Sequence, residues 1–140
     1  MPVDVDFTNR INKIRQRLIE AFGQPEWRPA LSPVDELVST ILSQNTNDVN
    51  RDAAFEQLKQ TFADWQAVMT APTEAVEDAI RPAGLANQKA PRIQGALQEI
   101  AEQTGGDLNL DFLKDMALEE ARGWLLDVKG VGPKTAAIVL

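Results

Sequence analysis

The 140 residues predict an all-α protein, a helical bundle or barrel domain. Apolar residues recur at spacings of three and four along most of the chain, β-branched runs are scarce, and the periodic segments are separated by residues that start and stop helices. Ile11, Ile14, Leu18, Ile19 and Phe22 form one stripe, closed by Gly23. Residues 24–31, with Pro25 and Pro29, read as a linker. Ser32, Pro33 and Asp35 then give a cap, proline and acid in order, the signature of a helix start, and the helix runs over 34–43 into a polar loop at 44–47. A helix over 48–62 follows, then a shorter one over 64–70. Pro72, Thr73 and Glu74 open another, which stops near Arg81 and Pro82 because proline cannot continue it. After a loop at Gly84 a long helix spans 89–104, and Gly105 and Gly106 end it. Residues 118–128 form the helix that leads into a Gly-rich turn, and a last helix begins at Pro133. This divides the chain into an N-terminal helix and linker at 1–31 and a helical domain at 32–140, with a helix-hairpin-helix at about 118–140. The final helix lacks a cap, a glycine or a terminal basic residue, which reads as truncation of a longer protein.

Composition narrows the function classes. A chain of this length suits one domain that hides roughly two-thirds of its unfolded surface. With no Cys and no His it has neither a disulfide nor a zinc site of the usual kind, so no metal is expected in it. No basic-then-apolar leader and no membrane-length apolar run is visible, and the expectation is a cytoplasmic monomer. The formal net charge of −7 runs against a nucleic-acid partner, since phosphate contacts usually come from a basic surface. Many of the acids fall within 48–56, 64–78 and 107–120, where they can face away from a duplex. Trp27, Trp65 and Trp124 read as core fillers.

The most informative segment is Leu126-Asp127-Val128-Lys129-Gly130-Val131-Gly132-Pro133-Lys134-Thr135-Ala136-Ala137. Gly130 and Gly132 flank Val131 and suit a turn that needs left-handed dihedrals and leaves amide N–H groups uncovered. Pro133 then opens a helix, so the loop should present free N–H groups to an anion such as a DNA phosphate. A nucleotide-binding phosphate loop is excluded, because it requires an adjacent Gly-Lys pair after a strand, and here Pro133 separates Gly132 from Lys134. Lys134 can act as a nucleophile when neutral. A helix N-terminus beside it and burial against Ile138, Leu125 and Leu126 should both favour the neutral amine, as Schiff-base chemistry at a sugar carbon requires.

This hairpin resembles that of the helix-hairpin-helix DNA glycosylase superfamily, most closely its endonuclease III-like branch. Three further segments are similar to that branch in the same order: the core helix at Leu37-Val38-Ser39-Thr40-Ile41-Leu42, the loop Leu42-Ser43-Gln44-Asn45-Thr46-Asn47-Asp48, and the loop Gly84-Leu85-Ala86-Asn87-Gln88-Lys89-Ala90. The resemblance runs from about Ser32 to Leu140. It implies a base-excision repair DNA glycosylase with AP-lyase activity on oxidised pyrimidines, acting on double-stranded DNA with a damaged or abasic nucleotide. Lys134 would be the catalytic amine. Asn45 would bond the orphaned base and Leu85 would be an apolar wedge across from it, both serving to hold a flipped nucleotide open. Asn45 departs from the branch, which usually carries glutamine there. Lys129, Gly130, Val131 and Gly132 would hold a backbone phosphate, and Lys89 would meet another. The family's aspartate and a [4Fe-4S] cluster on four cysteines would lie in a missing C-terminal segment. No residue here matches that aspartate: Asp111, Asp115 and Asp127 read as solvent and capping residues, so the chain alone should be inactive. Other readings stay open: a catalytically silent DNA-binding hairpin module, a mismatch thymine or uracil glycosylase, and a helical protein-interaction scaffold. Bland readings apply residue by residue as well, with the glycines serving turn geometry, Asn45 an ordinary turn and Leu85 the core.

Overall fold

A computed structural model describes residues 4–24 and 31–140, which form two compact units, one within Met1–Ala30 and the other Leu31–Leu140. Trp27 and most of the expected linker lie outside the described residues. The first unit is helix α1, Val5–Phe22. The Asp4 carboxylate caps it by accepting from the N–H of Asp6, and Gly23, at φ 81°, closes it by donating to the carbonyl of Ile19. The apolar stripe of Ile11, Ile14, Leu18 and Phe22 follows one face, as its spacing requires.

The second unit is helical throughout, and no strand occurs among the described residues. Helix α2 (Pro33–Ser43) is its axis. The hydroxyl of Ser32 accepts from the N–H of Asp35, Pro33 occupies the first turn, and Val34, Leu37, Val38, Ile41 and Leu42 are buried. Each such aliphatic side chain, fully buried, contributes about 1.5–3 kcal/mol. Helices α3 (Asp48–Thr61), α6 (Ala86–Thr104) and α8 (Pro133–Val139) pack around α2. Side chains of Asn47 and Asp64 cap α3 and α4 (Trp65–Thr70) in the same way. Helix α5 (Thr73–Ile80) and α4 lie on α6, while α7 (Leu118–Asp127) runs into the hairpin and packs on α8. The buried Gln94 of α6 fastens three of these elements: its amide donates to the carbonyls of Val68 and Ala71, and its oxygen accepts from the hydroxyl of Thr73.

Three local departures from expectation have physical causes. Helix α6 begins at Ala86, because Leu85 caps it in a left-handed conformation and its carbonyl accepts from Gln88 and Lys89 at 2.9 Å each. Pro91 therefore lies beyond the first turn of the helix. A 3₁₀ turn at Asp111–Asp115 precedes α7, too short to carry a periodic signal. Trp65 and Trp124 are only partly buried. Trp65 donates to Asp35 at 2.8 Å under the ammonium of Lys59, and Trp124 packs edge-on to Phe112.

Candidate functional site

The hairpin between α7 and α8 is closed by one hydrogen bond, from the N–H of Val131 to the carbonyl of Val128 at 3.1 Å. Two expectations change with it. Val131 places its side chain in the core, 8% exposed, and has already committed its N–H, so it is not a phosphate donor. Of the two glycines, Gly130 alone is left-handed (φ 90°), whereas Gly132 is extended at φ −103°, ψ −178°, as the residue before a proline prefers. The N–H groups of Gly130 and Gly132 have no main-chain acceptor among the described residues, and Lys129 is exposed beside them.

Lys134 follows Pro133 in the first turn of α8 and is exposed. The expected desolvation is absent: Leu125 is buried, but Leu126 and Ile138 are 37% and 46% exposed, so the amine is not enclosed by them. It lines a cleft of about 510 Å³ together with Asn45, Thr46, Ser39 and Thr40. Two carboxylates, Glu36 and Asp48, and two cations, Arg51 and Lys134, line this cleft. Asp48 is ion-paired to Arg51 at 3.1 Å, so at least this acid of the 48–56 group lines the cleft that holds Lys134. Asp111, Asp115 and Asp127 are exposed and take no part in that wall.

Asn45 and Leu85 are the non-glycine residues with positive φ among the described residues, at 56° and 50°. For leucine this conformation costs on the order of 1–2 kcal/mol. Leu85 is 45% exposed, which removes the core reading of it. Asn45 is exposed at its turn and shares the cleft with Lys134; Leu85 does not line that cleft.

Lys89 corrects the largest expectation. It is 1% exposed, and its ammonium donates to the carbonyl of Leu42 at 2.9 Å and to that of Ala83 at 2.8 Å. Burial holds its pKa below the ordinary lysine value through loss of water around the charge. It meets no phosphate from there. The signal was in the sequence: Lys89 is in phase with Ile93, Ala96, Leu97 and Ile100, the buried stripe of α6.

Gln44 and Arg92 make contacts that the sequence reading left unassigned. The amide of Gln44 donates to the carbonyl of Gly130 at 3.1 Å, and its oxygen accepts from Arg92 at 3.2 Å. The first loop, the hairpin and α6 are thereby joined. Arg92 and Lys129 also line a groove of about 320 Å³ with Asn87 and Gln88, and no acid lines it. No group of three or more His, Cys, Asp or Glu side chains suited to a metal occurs among the described residues. A cysteine-ligated cluster does not fit this chain, which has no thiolate to offer.

These features sit in a sequence with recognisable relatives. The chain is 42% identical over 109 residues to a provisionally named DNA glycosylase of Arabidopsis thaliana, covering 78% of this chain and 37% of that protein. It is 33% identical over 130 residues to endonuclease III of Thermotoga maritima, covering 93% and 55%. The chain thus spans about half the length of the curated relatives it matches. A solved non-covalent endonuclease III–DNA complex superposes with a TM-score of 0.67 over 94% of this chain and 57% of that one, at 22% identity, which speaks for the fold. Residues 38–139, from the middle of α2 to the end of α8, match the HhH-GPD superfamily of base excision DNA repair proteins, and the chain belongs to that superfamily, in its endonuclease III-like branch.

Proposed function

We propose that this chain forms the hairpin-bearing part of a base-excision DNA glycosylase with AP-lyase activity, acting on oxidised pyrimidines in double-stranded DNA, with Lys134 as the nucleophile. The observation that carries the reading is the sharing of one cleft by Lys134 and Asn45 beside the Gly130–Gly132 turn. The hairpin amides and Lys129 fix the duplex by its backbone, and Asn45 and Leu85 hold the helix open where a nucleotide has swung out. The Lys134 lone pair forms a bond to C1′ while the glycosidic bond breaks, its electron pair leaving with the base. The sugar ring opens to a protonated imine, and removal of a C2′ proton expels the 3′ phosphate. The leaving base takes a proton from the bonded amine, and the ring oxygen takes one from water as the ring opens. Membership of a family of base excision repair proteins supports the reading, as does likeness to an endonuclease III captured on DNA. Because no cysteine is present, a [4Fe-4S] cluster in the whole protein would be held by residues other than these 140.

Borohydride reduction in the presence of duplex DNA with one abasic site tests the assignment. A covalent adduct is expected with the whole protein and none with its Lys134→Gln variant. An adduct that persists in Lys134→Gln moves the nucleophile to another amine. DNA binding without any adduct favours a silent hairpin module.

A further inference from the structure

Two observations made at different points of the chain meet at one side chain. Asn45 and Leu85, the non-glycine residues with left-handed backbone among those described, are both exposed on loops. A bulky residue keeps such dihedrals only where the surrounding structure dictates them. The carbonyl of Leu42 lies three residues before Asn45, that of Ala83 two residues before Leu85, and the Lys89 ammonium donates to both. Carbonyls at the end of a helical segment lack intrahelical donors, so each is open to an outside partner. A side chain of similar length without the ammonium would fill the space and join nothing.

We infer that Lys89 is a positioning residue that fastens the two loops to each other at a fixed separation, so that Asn45 and Leu85 act on a duplex as a pair. The action on DNA rests on the proposed function; the fastening does not. A base leaves the stack only while the gap is filled, and the two tips serve that end only if they arrive at matched positions. Lys89 is buried and does not line the cleft that holds Lys134, so its effect is exerted through the backbone on which the two tips are mounted.

Two measurements on the 140-residue chain test this. Spin labels are attached to Thr46→Cys and Ala86→Cys, and labelling is confined to those sites because the chain has no cysteine. A narrow distance distribution is expected with Lys89 and one about twice as wide with Lys89→Met. In the unlabelled chain, 2-aminopurine beside an abasic-site analogue reports base opening. The native chain should raise its fluorescence severalfold, and Lys89→Met should lose most of that rise while its duplex affinity by anisotropy stays within about threefold. Lys89→Cys alkylated with bromoethylamine restores an amine of nearly the native length and should restore the rise, which a merely destabilised variant does not explain. Lys89→Gln replaces the methionine variant if that one lacks the native helical circular dichroism. Unchanged distance widths, or an unchanged fluorescence rise, in the variant overturns the inference. A native chain that binds duplex without raising fluorescence overturns the DNA action assigned under the proposed function, and widened distances in the variant then still support the fastening.

Discussion

Separate replacement of Gly130 and Gly132 by alanine distinguishes what the hairpin glycines do for the fold from what they do for a bound backbone. At Gly130 the added methyl must enter the left-handed region, at about 1–2 kcal/mol. It also lies 3.2 Å from Cδ of Arg92, whose guanidinium donates to Gln44, so the arm has to shift against that bond. Weakening one such bond adds about 1 kcal/mol, and Gly130→Ala should lose about 2–3 kcal/mol in all. At Gly132 the backbone is extended and a methyl meets no heavy atom within 4 Å. Alanine there removes freedom from the unfolded chain, and Gly132→Ala should gain about 0.4–1 kcal/mol. Urea denaturation followed by circular dichroism measures both, since a slope of about 1–3 kcal/mol per molar turns these differences into resolvable midpoint shifts. Duplex binding should respond at the position that is silent in the fold. A methyl over the Gly132 N–H obstructs a charge-assisted bond to phosphate, about 1.5–3 kcal/mol, or on the order of tenfold or more in Kd by anisotropy. Native affinity in Gly132→Ala refutes the phosphate contact and leaves turn geometry as the sole role of the glycines. A loss of stability there as large as at Gly130 refutes the dihedral reasoning.

Two further outcomes are expected. Leu85→Asn replaces a strained leucine with a residue that tolerates left-handed dihedrals, so the melting temperature should rise, by roughly 0.5–1 kcal/mol of stability, while opening of a 2-aminopurine-marked duplex falls; unchanged opening removes the wedge role. Lys89, whose pKa is lowered by desolvation in the folded state, binds fewer protons there than in the unfolded chain between that lowered value and about 10.4, so native stability should rise with pH across this window, and the rise should be missing from Lys89→Met in parallel denaturant titrations.

Helix positions were legible wherever a local device sets them. Ser32 with Pro33 and Gly105 each act within a few residues of their place in the chain, and the structure uses each as a cap or stop. What depends on contacts from elsewhere was not legible. The left-handed Leu85 that advances the start of α6 is held by no side-chain cap, and leucine carries no signal for such a turn. Val131 and Lys134 sit in a motif that marks a hairpin but does not say which side faces the core, and that is decided by how α8 lies on α2. Lys89 is a different failure, since its phase on α6 placed it inward and its charge argued it outward. Two carbonyls far apart in sequence, Leu42 and Ala83, settle the conflict in favour of the phase.

The net charge of −7 and the proposed polyanionic partner are reconciled by distance rather than by total. At physiological ionic strength the field of an exposed charge decays over about 8 Å, so acids beyond that range count for little at a contact point. The groove beside the hairpin carries Arg92 and Lys129 with no acid in its lining, and in the Lys134 cleft Glu36 and Asp48 are matched by Arg51 and Lys134. Locally, then, one surface is cationic and the next is balanced. The N–H groups of Gly130 and Gly132 add donors that bring no formal charge and need no lysine to be spent on them. On the proposed function, phosphate is met through a few placed groups, and acids outside the two sites serve as ordinary helix-start charges, as Glu119 and Glu120 do at the head of α7.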